Sequence, residues 1–266
     1  MSSQIHPTAI IDSSAVIGMD VKVGPHSIIG PGCVLGDGCA IGSSVAIHRW
    51  TELGPGVKVW HGASLGGDPQ DLKYRGAPSR VVIGANTVVR EFVTVNLSTT
   101  EGHVTTVGKD CFLMAYCHVA HECVVGDGVI LANCVSLAGH VTIEDFAIIG
   151  GLTPVHQFTR VGRYCMIGGS SAVQKDVVPY VRAFGIPLRV YGLNAIGLTR
   201  RGFTAEQKSL LKRAYRIIFR SGLNTSQALA RVRGELPQTP EIGHLVAFIE
   251  GSQRGITKNN EPADMA

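Results

Sequence analysis

Charged and aromatic residues are scarce in this sequence. Only 17% of its 266 residues are charged and 6% are aromatic, whereas 45% are hydrophobic. This composition excludes a disordered chain and supports one large domain, or two modest ones, with a well-buried core. No apolar run approaches the ~18 residues of a membrane span. The start, MSSQIHPTAI, lacks the basic and apolar stretches of a secretion signal. We therefore expect a cytoplasmic protein without a membrane span.

The excess of positive charge is small as well. The formal net charge is +4, and the basic residues gather late in the chain. This charge is too low to indicate nucleic-acid binding, which we do not expect, but it would suit an acidic protein partner. Glycine, in contrast, is abundant at 33 residues. Together with many Ile and Val, it predicts tight turns between short strands.

A six-residue repeat runs through two-thirds of the chain. Steps of six from Ile5 to Val173 give 29 positions, of which 26 are Ile, Val or Leu, the exceptions being Asp71, Ala77 and Glu101. These three residue types make up roughly a quarter of an average protein, so chance does not explain the pattern. A period of six is typical of a solenoid with one short strand and one corner per hexapeptide, three to a triangular coil.

Two other positions of the repeat have a consistent residue type. Glycine often follows the aliphatic residue, as at Gly18 and Gly24, and it suits a corner where the backbone is restricted. The fourth residue after the aliphatic one is small or β-branched and should also face inward. Six of the seven cysteines hold this position: Cys33, Cys39, Cys111, Cys117, Cys123 and Cys165. We interpret them as core residues in a reducing compartment, without disulfide or metal roles.

The repeat is interrupted twice. Residues 66–82 and 96–106 are polar and rich in turn formers, so we expect them to bulge out as loops. Such loops are often tolerated surface insertions, but binding and catalytic sites also tend to be built on them.

The repeat stops after Pro179, and the spacing of apolar residues between 200 and 251 predicts helices. Thr204 and Gln207 have the spacing of a capping box, and Thr225 and Thr239 also mark helix starts. We predict a β-helix over 1–185 and an α-helical domain over 186–266. The helical domain can cap the last coil, and residues 253–266 should be frayed.

Four histidines should meet on one edge of the prism. His118 and His121 flank one corner in the segment HVAHE. Because three hexapeptides make one coil, His140 should lie beside His121 one coil further on, and His156 another coil beyond. A histidine at a solenoid corner is often merely exposed, so the spacing alone leaves a surface cluster and a functional site equally open.

The motifs around these histidines resemble those of one family. HVAHE, LAGH, IIGGLTPVHQF, QDLKY and LxRRGF are similar, in order and over essentially the whole chain, to motifs of the UDP-N-acetylglucosamine O-acyltransferases. The resemblance implies a mainly β fold, a left-handed parallel β-helix of hexapeptide repeats with a C-terminal α-helical domain. It implies transfer of an (R)-3-hydroxyacyl chain from acyl carrier protein to the 3-position of UDP-N-acetylglucosamine, the first step of lipid A biosynthesis. It also implies a homotrimer that needs no cofactor and no metal.

Three residues match the catalytic residues of that family. His121 matches the general base, a role for which histidine is suited because its ordinary pKa lies near ~6.5. Glu122 stands where the family has an acidic residue, usually Asp, that orients the imidazole. Gly139 matches the backbone N–H that stabilises the tetrahedral oxyanion. The imidazole can activate the acceptor directly, so no acyl-enzyme is needed.

Ten further residues match substrate contacts of the family. Gly169 matches the position that limits acyl-chain length, and a glycine there leaves room for a longer chain. Arg200 matches a basic residue linked to the arm of the carrier protein, and a basic surface for this acidic protein could include Lys212, Arg216 and Arg220. The remaining contacts to sugar, substrate and nucleotide are matched by Asp71, Lys73, His118, His140, His156, Gln157, Asn194 and Arg201.

Two segments depart from the family pattern. The second loop begins Asn96-Leu97-Ser98-Thr99 where relatives commonly have His-Arg-Gly-Thr, and Ile196 replaces a common acidic nucleotide contact. The first departure lies on the acceptor side. An alternative acceptor is therefore the analogue of the sugar nucleotide with an amine at the 3-position.

The hexapeptide repeat is also found in three other kinds of protein. The γ-class carbonic anhydrases use the same prism with three histidines on zinc, and His118 and His121 could be two of them. That interpretation leaves Glu122, the QDLKY loop and the helical tail unexplained. A sister N-acyltransferase has an extra domain before its repeats, whereas this repeat starts at Ile5. A non-catalytic β-helix would need neither aligned histidines nor interrupting loops.

Overall fold

Two-residue strands joined by tight corners form most of the chain. The computed structural model describes residues 3–258, and in this range strands β1 to β25 wind into a triangular parallel β-helix. Each coil adds one strand to each of three sheets, and each strand pairs in parallel with the strand one coil further on. Ile5 pairs with Val23, for example, and Val119 with Leu137.

The three sheets are numbered by the order in which the chain enters them. Sheet 1 contains β1 (Gln4–Ile5), β4 (Lys22–Val23), β7 (Ala40–Ile41), β10 (Lys58–Val59), β13 (Val88–Val89), β16 (Phe112–Leu113), β19 (Ile130–Leu131), β22 (Ile148–Ile149) and β25 (Met166–Ile167). Sheet 2 contains β2 (Ile10–Ile11), β5 (Ile28–Ile29), β8 (Ala46–Ile47), β11 (Ser64–Gly67), β14 (Thr94–Asn96), β17 (His118–Val119), β20 (Ser136–Leu137) and β23 (Pro154–Val155). Sheet 3 contains β3 (Val16–Ile17), β6 (Val34–Leu35), β9 (Thr51–Leu53), β12 (Arg80–Ile83), β15 (Val104–Val107), β18 (Val124–Val125), β21 (Thr142–Ile143) and β24 (Arg160–Val161).

The corners between these sheets form three edges of the prism. The 1–2 edge holds the corners that follow sheet 1, such as residues 115–116. The 2–3 edge holds those that follow sheet 2, such as residues 121–122, and the 3–1 edge those that follow sheet 3, such as residues 145–146. Both predicted loops leave from the 2–3 edge, but each is shorter than predicted because its ends lie in strands. Residues 68–79 connect β11 and β12, and residues 97–103 connect β14 and β15.

The six-residue frame forms the core, as predicted. Its aliphatic residues from Val23 to Val173 are at most 4% exposed, and those at the four-on position from Val21 to Thr51 are at most 1% exposed. Burying so many aliphatic side chains is the main favourable term for the fold. At the open N-terminal end the core is less covered, and Ile5 remains 46% exposed.

The sequence explains the glycines after the aliphatic residues by a restricted backbone, but the structure shows another reason for their occurrence. A Cβ on Gly24 would lie 2.6 Å from the carbonyl oxygen of Gly42, one coil further on, and a Cβ on Gly36 would lie 2.7 Å from the nitrogen of Pro55. The left-handed backbone comes two residues later, as at His26, where φ is 58°. Close approach of the next coil, rather than backbone conformation, therefore excludes a side chain there.

An antiparallel hairpin, which the sequence did not predict, continues sheet 1. Its strands are β26 (Val181–Phe184) and β27 (Arg189–Leu193), and β26 pairs in parallel with β25. The hairpin covers the last strand of sheet 1. The predicted division of the chain between residues 185 and 186 falls in its turn and stays a prediction.

Four helices follow the hairpin: α1 (Ala195–Arg200), α2 (Ala205–Arg220), α3 (Thr225–Glu235) and α4 (Pro240–Glu250). The capping box of Thr204 and Gln207 is confirmed at the start of α2. Helix α3 begins at Thr225 with Asn224 as its cap, and α4 has Pro240 in its first turn. None of the helices between residues 3 and 258 is long and apolar enough to cross a membrane.

The helical tail is attached to the prism by polar contacts. His244 Nε2 lies 2.8 Å from Glu144 Oε2, and the Arg160 guanidinium lies over the Phe248 ring. Part of the predicted frayed segment is also attached. The Thr257 N–H donates to the carbonyl of Asp176 at 2.7 Å, and Ile256 is 6% exposed. The prediction of fraying is thus wrong for this part, while residues 259–266 lie outside the described residues.

The cysteines allow a test of the core. Burial raises the pKa of Cys111 and Cys117 to about 11, and that of Cys123 and Cys165 to about 12. The thiolate is the reactive form, so at pH 8 we expect a thiol reagent to modify only the exposed Cys134 in the folded protein. In a Cys134→Ser variant, no thiol should react until denaturant is added. Rapid reaction of several thiols in the folded variant would contradict this packing.

Candidate active site

His121 and Glu122 lie at one corner of the 2–3 edge, directly after β17. Glu122 has a left-handed φ of 52°, and its N–H donates to Thr105 Oγ1 at 3.0 Å. In this conformation the carboxylate returns to the preceding residue, and its Oε2 is hydrogen-bonded to His121 Nδ1. A carboxylate that accepts from Nδ1 fixes the neutral tautomer with Nε2 as the free acceptor. Because Nε2 is free to accept a proton, the imidazole can act as a base.

The other oxygen of Glu122 is surrounded by donors from the second loop. Ser98 Oγ lies 2.5 Å from Oε1, and the N–H and Oγ1 of Thr99 both lie 2.7 Å from it. The Thr100 N–H completes the set at 3.1 Å. Burial raises the pKa of the Glu122 carboxyl, but the hydrogen bonds from Ser98, Thr99 and His121 outweigh burial and lower that pKa to about 2. Glu122 is therefore ionised at neutral pH although its side chain is only 7% exposed.

Gly139 lies one coil beyond His121 and packs against its ring. A Cβ on Gly139 would lie 2.6 Å from His121 Nε2, so only glycine leaves the imidazole its place. Within residues 3–258, the Gly139 N–H has no hydrogen-bond partner. A free backbone donor thus lies near the free nitrogen of the imidazole, a combination that suits proton transfer next to a developing oxyanion.

His140 lies beside His121, as the coil spacing predicts. The two ring centroids are 5.3 Å apart with the rings nearly perpendicular, and His140 Nε2 lies 3.9 Å from Glu122 Oε2. On the other side of His140 from His121 lies Phe158, whose ring is stacked on that of His140 with a centroid distance of 4.6 Å. His156 does not stack on His140; it is exposed, with Nδ1 3.0 Å from the carbonyl of the exposed Gln157.

His118 is held on the outer face of sheet 2 rather than at the corner. Its Nδ1 lies 2.7 Å from Thr94 Oγ1 on the preceding coil. Burial, followed by the influence of nearby His121, lowers the pKa of His118, so this imidazole is neutral at physiological pH. A neutral ring on a flat face can form hydrogen bonds to a polar substrate.

The first loop contributes Asp71 and Lys73 at the same edge. The Lys73 N–H donates to Asp71 Oδ1 at 2.8 Å, and the Lys73 side chain is exposed. The loop is anchored through Tyr74, whose hydroxyl lies 3.2 Å from the Arg49 guanidinium. The loop therefore offers a carboxylate and an ammonium group to a ligand bound along the 2–3 edge.

The remaining predicted residues lie on other edges. Gly169 is on the 1–2 edge. Asn194 caps α1, and its Nδ2 donates to the carbonyl of Tyr164 at the 3–1 edge. Arg201 lies over the ring of Phe146 on that same edge, and Arg200 is exposed at the end of α1. One chain does not bring these residues together with His121.

Among residues 3–258, no group of three histidines has the spacing of metal ligands. The group with metal-ligand spacing in the described chain is His121, Glu122 and His140, whose ligand atoms lie within 4.8 Å of one another. His118 is excluded from it, and both carboxylate oxygens of Glu122 are already hydrogen-bonded. This group contains two histidines and one carboxylate, whereas the carbonic anhydrase interpretation requires three histidines.

Sequence reasoning missed several residues that shape this site. The sequence marks residues 96–99 as a departure from the family pattern and Phe158 as the end of a motif, but it predicts neither Ser98, Thr99 and Thr100 as donors to Glu122 nor the stacking of Phe158 on His140. The hexapeptide frame says nothing of where a loop residue lies. A useful signal was the hydroxyl-rich run itself, because a buried carboxylate needs donors.

Comparisons with known proteins show the family to which the chain belongs. Residues 105–139 match the bacterial transferase hexapeptide family (six repeats), and residues 176–257 match the family described as UDP N-acetylglucosamine O-acyltransferase, domain 2. An acyl-[acyl-carrier-protein]--UDP-N-acetylglucosamine O-acyltransferase of Gloeothece citriformis is 53% identical over 252 residues, covering 95% of this chain and 91% of that protein. One from Burkholderia orbicola is 47% identical over 265 residues, covering 96% and 100%. The solved UDP-N-acetylglucosamine acyltransferase of Francisella novicida has a TM-score of 0.94 at 35% identity, covering 97% of this chain and 95% of that one.

Fold and site thus define a hexapeptide-repeat acyltransferase. The chain belongs to the UDP-N-acetylglucosamine O-acyltransferase family. The predicted fold class, a left-handed parallel β-helix with C-terminal helices, is confirmed.

Proposed function

We propose that this protein transfers an (R)-3-hydroxyacyl chain from acyl carrier protein to the 3-hydroxyl of UDP-N-acetylglucosamine in the first step of lipid A biosynthesis, with His121 as general base. The observation that carries this proposal is the His121–Glu122 pair beside the N–H of Gly139, which has no hydrogen-bond partner among residues 3–258. The substrates follow from family membership. A cytoplasmic location, where acyl carrier protein is found, remains part of the proposal.

The proposed reaction uses these groups in sequence. His121 Nε2 accepts the proton of the sugar hydroxyl while its oxygen attacks the thioester carbonyl. Glu122, ionised at neutral pH, stabilises the imidazolium that forms. The Gly139 N–H donates to the oxyanion of the tetrahedral intermediate. As the intermediate collapses, the C–S bond breaks and the imidazolium returns the proton to the departing thiolate of the carrier arm.

A homotrimer completes the proposed site. Gly169, Asn194 and Arg201 match acyl and nucleotide contacts but lie on two edges away from His121. Packing of one prism against another would bring different edges side by side. Neighbouring chains in a trimer then supply the acyl and nucleotide contacts around each His121.

The first test measures acyl transfer to UDP-N-acetylglucosamine from 3-hydroxyacyl carrier proteins of several chain lengths. We expect turnover, with long chains preferred because Gly169 leaves room. A His121→Ala variant should lose ~10²–10⁴-fold in kcat, the usual contribution of a general base. His6→Ala, which changes an exposed histidine in the first coil, is the matched control and should retain activity. A wild-type protein without turnover, or an active His121→Ala variant, contradicts the proposal.

A second candidate acceptor is the 3-amino analogue of the sugar nucleotide, and Asn96 favours it. Asn96 is 6% exposed, and its Nδ2 donates to the carbonyl of Gly67 at 3.4 Å. Within residues 3–258 its Oδ1 has no hydrogen-bond partner. Strand β14 pairs with β17, so Asn96 lies beside the residues that precede His121. A hydroxyl gives its single hydrogen to the base, whereas an amine has another for Asn96 Oδ1.

Competition between the two acceptors distinguishes these candidates. If Asn96 selects the amine, the wild-type protein should acylate the 3-amino analogue at least about tenfold faster, since a buried unpaired acceptor penalises the other substrate. An Asn96→Leu variant, similar in shape, should then lose the preference. The 3-hydroxyl is the acceptor if two results are obtained. The wild-type protein must acylate the hydroxyl substrate faster, and Asn96→Leu must leave the ratio of the two acylation rates unchanged.

A candidate docking surface for the carrier protein lies on this chain, between the hairpin and helix α2. A cleft of about 650 Å³ is lined by Arg182, Lys208, Lys212, Arg216 and Arg220. The buried hydroxyl of Tyr215, another lining residue, has no partner within residues 3–258. Several cations around one cleft suit the acidic surface of a carrier protein.

Charge reversal tests this surface. Arg216→Glu and Arg220→Glu should each raise KM for the acyl carrier protein about tenfold at low salt, with a smaller effect at high salt. The same variants should leave KM for an acyl-phosphopantetheine without the protein unchanged. Lys22→Glu, on the exposed face of β4, is the control. Unchanged KM values for the carrier protein would place docking elsewhere.

A further inference from the structure

The second loop encloses one oxygen of Glu122, and within residues 3–258 none of the hydrogen bonds of Ser98, Thr99 and Thr100 goes to His121. Four donors from three consecutive residues converge on Oε1, two of them hydroxyl groups and two of them backbone N–H groups. Ser98 is fully buried, and its hydroxyl also accepts from the Thr100 N–H at 3.2 Å. The loop and the carboxylate therefore form one hydrogen-bonded unit.

We infer that Ser98 and Thr99 are positioning residues of the reaction: they hold Glu122 so that its other oxygen stays aligned with His121 Nδ1. The inference rests on the proposed function. A glutamate has one more rotatable bond than the aspartate usual in the family, and an exposed glutamate would sample several rotamers. The donors on Oε1 select one of them.

The electrostatic setting makes these donors effective. Within residues 3–258 the ionisable groups around the carboxylate are His121, His140 and, next in the chain, Cys123, and no lysine or arginine forms an ion pair with it. The negative charge is stabilised by neutral donors at Oε1. Without them, Glu122 would stabilise an imidazolium at His121 more strongly, but in a less fixed geometry.

Two effects of opposite sign on the pH–rate profile follow. In Ser98→Ala and in Thr99→Val, which replaces the hydroxyl of Thr99 by a methyl group, the carboxylate keeps its charge but loses a donor. We expect kcat to fall about tenfold with KM for both substrates within about twofold, and the acidic limb of the profile to move to higher pH. In Glu122→Gln the negative charge is lost, so the acidic limb should move to lower pH.

Two further variants separate positioning from simple loss of structure. Thr99→Ser keeps the hydroxyl that Thr99→Val lacks, so it should have the kcat and the pH profile of the wild-type protein. Ser79→Ala is the matched control, because the buried hydroxyl of Ser79 donates to the carbonyl of Ser98 at 2.7 Å without touching Glu122. We expect Ser79→Ala to lower the melting temperature, as Ser98→Ala does, but to leave the pH profile in place.

The combination with Glu122→Gln tests whether the donors act through the carboxylate. In that background Ser98→Ala should cost no further activity. Losses that multiply, or a fall in kcat without a moved acidic limb, would overturn the inference while leaving the proposed function intact. If the wild-type protein shows no turnover, the proposed function fails instead. The inference is then judged by the midpoint at which the ¹⁵N-labelled His121 ring titrates in Ser98→Ala, which must rise.

Discussion

The structure depends on parallel pairing between successive coils. Strands of two residues have little stability alone, so each coil is positioned by its neighbours. The approach is close enough that a Cβ on Gly24 would lie 2.6 Å from the carbonyl oxygen of Gly42. This register brings residues one coil apart in the chain into contact at an edge. It places Gly139 against the His121 ring and His140 beside it. A slip of one residue would turn core residues outward and disperse the site.

The two loops leave this register undisturbed because of their lengths. In an uninterrupted coil, Lys22 pairs with Ala40. Lys58 pairs with Val88 across the first loop, and Val88 pairs with Phe112 across the second. Compared with the uninterrupted coil, the first loop adds the length of two hexapeptides and the second adds that of one. The aliphatic frame therefore resumes in phase after each interruption, and the loops can carry polar chemistry at the 2–3 edge while the core continues beneath them. All three exceptions to the frame lie in the loops: Asp71, Ala77 and Glu101.

The periodic features and the capped helices of the tail were predictable from the sequence, whereas the hairpin and the contacts made by the loops were not. The aliphatic positions, the cysteines of the core and the approach of His140 to His121 all follow from spacing. The hairpin at 181–193 has no such spacing, and the attachment of Thr257 to Asp176 depends on how the tail folds back. The left hand of the coil came from resemblance, not from periodicity. The donors to Glu122 lie in a loop, where only the structure shows that Ser98 and Thr99 reach a carboxylate on the next coil.

The same rigidity that forms the corner at His121 and Glu122 limits what one chain can do. A prism with a packed core cannot bend its edges toward each other, so Gly169 and Asn194 stay on edges away from His121. A substrate with an acyl chain, a sugar and a nucleotide is too extended for one corner. Several side chains on the outer face of sheet 2 are small or aliphatic, as at Ile28, Ala46 and Ser64, and leave room for a second prism to approach closely. A rigid scaffold of this kind gains a long composite site by association rather than by motion, which is what the proposed trimer provides.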